Sequence, residues 1–219
     1  MINSTEMKNM ALDYAVDSFR TLLGIQGRSF GSKTKSYDGI SDGYEGVQWN
    51  VAVFKDRPGK ARLGVNLEGM KYDGWPIARF IEHELEHPGL PSLPVEKDKI
   101  HIDFYRKAWI PSGGRPPIKE NIIKHSGILL DGLTDVLLKE MLIDASSCLA
   151  AEKNYRGRAK QLVTLSSSGI KKEMPVSPHL TIYTWIWSSV PSDLQEAKML
   201  MQKGFDRLLA VYEYVKSHS

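Results

Sequence analysis

The stretch GVQWNVAVFKDRPGKARLGVNLEG, residues 46–69, constrains the fold more than any other part of this chain. Apolar and polar residues alternate on both sides of Arg57-Pro58-Gly59, the pattern of two half-buried strands joined by a turn. Pairing Val53 with Leu63 sets Val51 against Val65, Trp49 against Leu67 and Val47 against Gly69, so one face of the hairpin is almost wholly apolar. A slip by one residue would turn that face to water, so the pattern holds the strands in phase.

The surrounding periodicities supply the covering elements. Residues 5–23 carry Leu12, Ala15, Val16, Phe19, Leu22 and Leu23 at helical spacing, with Gly24 as a stop. A Gly/Ser/Asp-rich loop is expected from Gly27 to about Gly43. Pro76 opens a second helix after the turn Tyr72-Asp73-Gly74-Trp75. Its apolar arc is Ile77, Ala78, Ile81 and Leu85, and Pro88-Gly89 ends it. KIHIDFYRKAWIP, residues 99–111, alternates as a strand. Residues 119–151 are apolar around most of a helical circumference and predict a long buried central helix, broken near Gly127 or Gly132. Two strands then turn at Ser167-Ser168-Gly169, HLTIYTWIW forms a further strand, and a helix from about Ser192 to Lys216 closes the chain. The expected class is α+β: a single domain over residues 1–219 with a mainly antiparallel sheet packed by helices.

Composition narrows the function classes. With 42% hydrophobic and 25% charged residues, the chain of 219 reads as an ordinary globular protein rather than a disordered one. No apolar run reaches the length of a membrane span, and the acidic, amphipathic start is unlike a secretory signal, so a soluble cytoplasmic protein with no membrane partner is expected. The single cysteine, Cys148, lies in the apolar run MLIDASSCLAA and reads as a small buried residue. Net charge is only +3, but Lys153, Arg156, Arg158, Lys160, Lys171 and Lys172 follow one another with no acid between Glu152 and Glu173. Such a tract attracts a polyanion.

Three constellations carry candidate chemistry. The expected hairpin register sets Gln48 opposite Glu68, Asn50 opposite Asn66, Ala52 opposite Gly64 and, beyond the strands, Glu45 opposite Lys71. Glu45 and Glu68 are the candidate ligands of a magnesium ion, with Lys71 beside them to steady a phosphate or orient a water. This loosely resembles the site of restriction-type nucleases, where an acid is followed by a strand ending in an acidic residue, one spacer and a lysine; Glu68-Gly69-Met70-Lys71 has two spacers. The second constellation is His83-Glu84-Leu85-Glu86-His87, the H-E-x-x-H spelling in which two histidines hold zinc and the glutamate acts as base. Its flanks are charged, its helix stops at Pro88, and no second motif supplies a third ligand. The third is the strand face of Tyr105, Lys107 and Trp109, where bases and aromatics interleave as they do on surfaces that bind nucleic acid. Separately, SPHLTIY resembles a signature of the cytochrome b subunit of succinate dehydrogenase over seven residues, but no membrane helices follow it.

The leading expectation is a nucleic-acid-binding protein. Contacts come from Arg156, Arg158, Lys160, Lys171, Lys172, Tyr105, Lys107 and Trp109, with metal-dependent cleavage by Glu45, Glu68 and Lys71. The alternatives are a zinc hydrolase built on His83, Glu84 and His87, and a non-catalytic protein-interaction module.

Overall fold

The hairpin forms as a pair of antiparallel strands, β3 (Val47–Phe54) and β4 (Ala61–Glu68). Residues 4–25, 30–33, 37–43, 46–54, 56–57, 59–68, 76–112, 115–149, 159–165 and 168–219 are described by the computed structural model. Several side chains, those of Glu68 and Trp109 among them, lie outside that description. Every expected pair of the hairpin is displaced by two residues: Val53 faces Ala61, Val51 faces Leu63, Trp49 faces Val65 and Val47 faces Leu67. The turn is tighter than expected because Gly59 takes a φ of 91°, and Lys60 closes back on the Arg57 carbonyl at 3.0 Å. An even displacement keeps each residue on its face. It does change partners: Gln48 meets Asn66, Asn50 meets Gly64 and Ala52 meets Arg62.

Among the described residues, six more strands extend the sheet: β1 (Phe30–Lys33), β2 (Tyr37–Ser41), β5 (Ile100–Ser112), β6 (Arg115–Leu129), β7 (Ala159–Thr164) and β8 (Lys171–Trp187). The order is β1-β2-β3-β4-β8-β5-β6, with β7 also on β8, and every pairing is antiparallel. The long β8 organises the whole. One side pairs with β5, and the other pairs first with β7, through Val176, and then with β4, from His179 on. Ser177 and Pro178 fall in the gap between β7 and β4, where a residue without a backbone N–H is tolerated.

Among the described residues, four helices cover the apolar face: α1 (Ser4–Leu23), α2 (Pro76–Glu86), α3 (Asp135–Ser146) and α4 (Leu194–Ser217). Trp49 stacks on Phe205 and Tyr212 of α4, with ring centroids 4.6 and 4.8 Å apart. Val51, Leu63, Val65, Leu67, Ile102, Phe104, Leu180 and Ile182 join the same core. A smaller cluster of Ala108, Cys148, Val163, Met174 and Val176 fills the space under β7. The Cys148 thiol is buried as expected, and that burial pushes its pKa up to about 12.

Two expectations are corrected. The segment from Gly27 to Gly43 holds β1 and β2, which pair the otherwise open edge of β3. The long central helix expected over 119–151 is instead β6, a short turn, and α3 with Thr134 as its N-cap. Runs such as Asn121-Ile122-Ile123 fit either period, and pairing with β5 decides. The α+β class stands, with its long helix at the C-terminal end of the described chain as α4. Among the described residues no helix is long and apolar enough to cross a membrane.

Candidate functional site

Strand alternation turns a second set of side chains to the face away from the helices, and the register sorts them into rows. From β3 through β4 and β8 to β5, one row is Asn50, Gly64, Tyr183 and His101. The next is Gln48, Asn66, Thr181 and Asp103. Above them Ala52, Arg62 and Trp185 align; below them Glu68, His179 and Tyr105 align, then Ser177 and Lys107.

Cations and rings interlock across these rows. Arg62 reaches over β8 to Asp103, at 3.5 Å, and its guanidinium lies 4.6 Å from the Tyr183 ring and 5.1 Å from that of Phe54. Lys60 sits 3.7 Å over Trp185. His101 stacks on Tyr183 at 5.1 Å, and Tyr105 meets His179 at 4.6 Å. Lys107 Nζ lies 3.1 Å from His179 Nδ1, within hydrogen-bond distance. Thr181 donates to the Asn66 carbonyl at 2.8 Å. Asp103 also accepts from Ser126 Oγ and the Gly127 N–H, which fixes the end of β6 beside it.

Burial tunes the titrating groups. Desolvation pulls the His101 imidazole below its ordinary value, with the Lys60 charge adding and the Asp103 charge opposing. Desolvation pushes the Tyr183 phenol up, and Asp103 adds to it, so it stays protonated. Lys60 is lowered by desolvation and then by Arg57. Two carboxamides are buried without full satisfaction: Gln48, 5% exposed, and Asn50, 8% exposed, have amide nitrogens with no partner among the described residues.

The residues singled out from sequence are partly brought together. Tyr105 and Lys107 lie on this face as expected; Glu68, expected opposite Gln48, lies past the β3 pairing because Gln48 meets Asn66, and on its other side Glu68 aligns with His179 of β8. Glu45, Lys71, Arg156 and Arg158 lie outside the described residues, as does the Trp109 side chain. Lys160, Lys171 and Lys172 are exposed on the β7/β8 hairpin; alternation sets Lys160 and Lys171 on the polar face and Lys172 on the other, and Lys160 lies 3.9 Å from Glu173. Sequence reasoning missed Lys60, Arg62, His179, Tyr183 and Trp185. The signal was the alternation of Ser177-Pro178-His179-Leu180-Thr181-Ile182-Tyr183, whose odd positions carry the polar face.

The H-E-x-x-H segment is built differently from a zinc helix. Of the expected arc of α2, Ile77 and Ile81 are buried and Leu85 packs against the core, but Phe80 and Glu84 are buried with them while Ala78 is only half-buried. Glu84 is 1% exposed, and its carboxylate accepts from the N–H groups of Gly89 and Leu90 and from the Tyr214 hydroxyl. A side chain at Gly89 would collide with that hydroxyl. Glu84 therefore closes the helix end onto α4 and is not poised as a base. His83 stacks on His218 of the last turn at 3.9 Å, and His87 is exposed. Among the described residues no three His, Cys, Asp or Glu side chains are grouped to hold a metal ion.

No protein-family model matches this chain, and no curated protein or solved structure is significantly similar to it.

Proposed function

We propose that the chain binds a single-stranded nucleic acid on the polar face of the sheet. The observation that supports this is the interleaving of the half-buried Lys60 and Arg62 with the half-buried rings of Phe54, Trp185, His101 and Tyr105 on adjoining strands, braced from beneath by the buried Tyr183, His179 and Lys107. Cations of this kind track a phosphate backbone, and rings that keep a face to solvent stack on unpaired bases at about 1–3 kcal/mol each. A duplex keeps its bases stacked on one another and has no use for the rings. Lys160 and Lys171 extend the same face along β8, which at about 3.3 Å per residue is long enough for several nucleotides. Binding alone is proposed, because Glu45 and Lys71 of the expected magnesium site have no described position beside Glu68.

Labelled ten-nucleotide single strands and a duplex of equal length, titrated from low to physiological salt, test this. The single strand should bind tighter, with log affinity falling against log salt by about 0.7 per phosphate contacted. Trp185→Ala together with Lys60→Ala should weaken it by tenfold or more, from the loss of one stack and one cation. Lys172→Ala, on the opposite face, should change affinity little. No binding at low salt, or equal affinity for the duplex with an unchanged Trp185→Ala, Lys60→Ala variant, overturns the reading.

A further inference from the structure

We infer that the exposed face of α3 pairs two copies of this chain, with the two helices side by side and parallel about a two-fold axis. The motivation is a stripe that nothing within one copy uses. Val136 is 79% exposed and Ile143 55%, while Leu138, Met141, Leu142 and Ala145 turn the other side of the same helix into the core. β-branched residues suit an exposed helix position poorly, since there they add neither propensity nor packing. The two stand seven residues apart, so at 3.6 residues per turn they fall within about 20° of each other, and Ser147 falls in line with them. With Lys139 and Glu140 they line one open groove.

Charge decides the occupant and its direction. Measured from Val136 around the helix, Lys139 lies about 60° to one side of the stripe and Glu140 about 40° to the other. Among the described residues neither makes an ion pair, whereas Asp144, on the Glu140 flank, is already held by Lys124 at 3.5 Å and by Arg106 at 3.8 Å. A two-fold axis running along the helices brings Lys139 of one copy beside Glu140 of the other on both flanks. It also sets Val136 on Val136 and Ile143 on Ile143, and β-branched residues at such positions suit a two-stranded parallel pair. An antiparallel pair would set Lys139 beside Lys139 and Glu140 beside Glu140, so repulsion excludes it. The face is therefore complementary to itself in one orientation, as a two-fold interface requires. Since α3 packs on the apolar side of the sheet, the polar face stays open in both copies, and the pairing is independent of the single-strand reading.

A helix of 12 residues, about 18 Å long, buries less than the about 1,200 Å² at which standard interfaces begin, so a weak dimer is expected. Sedimentation velocity of the full chain at low salt, from about 5 to about 500 µM, brackets such an affinity. Wild type should pass from the mass of one copy to that of two. Ile143→Asp should hold the protein at one copy throughout. Lys139→Glu and Glu140→Lys should each weaken the dimer about fivefold or more, because each turns two attractive pairs into two repulsive ones. Mixed in equal amounts, those two variants should associate at least as tightly as wild type, since one presents only carboxylates to the axis and the other only ammonium groups. All three positions are exposed, so melting temperatures should stay close to that of wild type; should Ile143→Asp lose the fold, the mixture decides. Wild type that stays at one copy at the highest concentration, association that a folded Ile143→Asp or the charge substitutions leave unchanged, or a mixture that stays apart overturns the pairing.

Discussion

Glu84 on α2 and the Gln48/Asn50 pair on β3 are polar groups buried to similar depth, and they behave in opposite ways. Glu84 is surrounded by donors: two backbone N–H groups of the following turn and the Tyr214 hydroxyl. The two carboxamides hold nitrogens with no acceptor among the described residues. A satisfied buried carboxylate stabilises its region and fixes one geometry, whereas an unsatisfied buried amide costs stability. The residue that looks catalytic by motif thus belongs to the scaffold. Residues that look like the plain polar half of an alternating strand are the ones whose chemistry is unfinished.

The largest expected effect comes from breaking the satisfied site. Glu84→Ala removes the acceptor of three donors and leaves the Gly89 and Leu90 N–H groups facing an apolar environment, at about 1–3 kcal/mol each. A loss of about 3 kcal/mol or more is expected in urea unfolding at pH 7. Glu84→Gln retains one acceptor oxygen but brings an NH₂ group against the same donors, and should lose about half as much. An alanine variant within about 0.5 kcal/mol of wild type would erase the contrast with β3.

This contrast also marks where sequence reading stops. Helices α1 and α4, strand β5 and the β7/β8 turn were legible because each carries its own period and its own stop, such as Gly24 or Ser168-Gly169. The β3/β4 faces were legible too, although the register was displaced by two residues, since period two is blind to an even shift. Strand β6 was not legible: its apolar residues satisfy a helix as well as a strand, and only the distant β5 selects between them. The polar face was legible in pieces, as Tyr105 and Lys107 on β5 and as Gln48, Asn50 and Asn66 on the hairpin, but not as one surface. Its cations and rings come from the β3/β4 hairpin, β5 and β8, and the adjacency of β4, β8 and β5 is a fact of topology that no local pattern states.

A smaller effect sharpens the comparison from the polar face. Burial holds the folded-state pKa of His101 below its ordinary value near 6.5, so the folded protein resists a proton that the unfolded chain accepts. Its contribution is present in full above about pH 6.5 and declines as pH falls below it. The ring keeps some contact with solvent, so the decline is expected to stay under about 1 kcal/mol between pH 7.5 and 5.5. His101→Phe preserves the stack on Tyr183 and removes the titration. The difference between the two unfolding curves across that range isolates the term from the other histidines, and parallel curves would mean that the face imposes no desolvation.

The smallest effect is expected at His87. It is exposed at the end of α2, 5.8 Å from the His83 ring, and beside it the chain turns away at Pro88-Gly89. If the segment is scaffold closed by Glu84, His87→Ala removes one solvated ring and should shift stability by no more than about 0.5 kcal/mol. His83→Ala should cost somewhat more, because it also removes the stack on His218. If the segment instead holds zinc, the two histidines act through one ion and each substitution should abolish the same stabilisation. Melting wild type and both variants with a chelator and then with added zinc separates these cases. Zinc should move none of the three curves; a zinc-dependent rise in wild type that vanishes equally in both variants would make the satisfied carboxylate a neighbour of a metal centre and undo the contrast with Gln48 and Asn50.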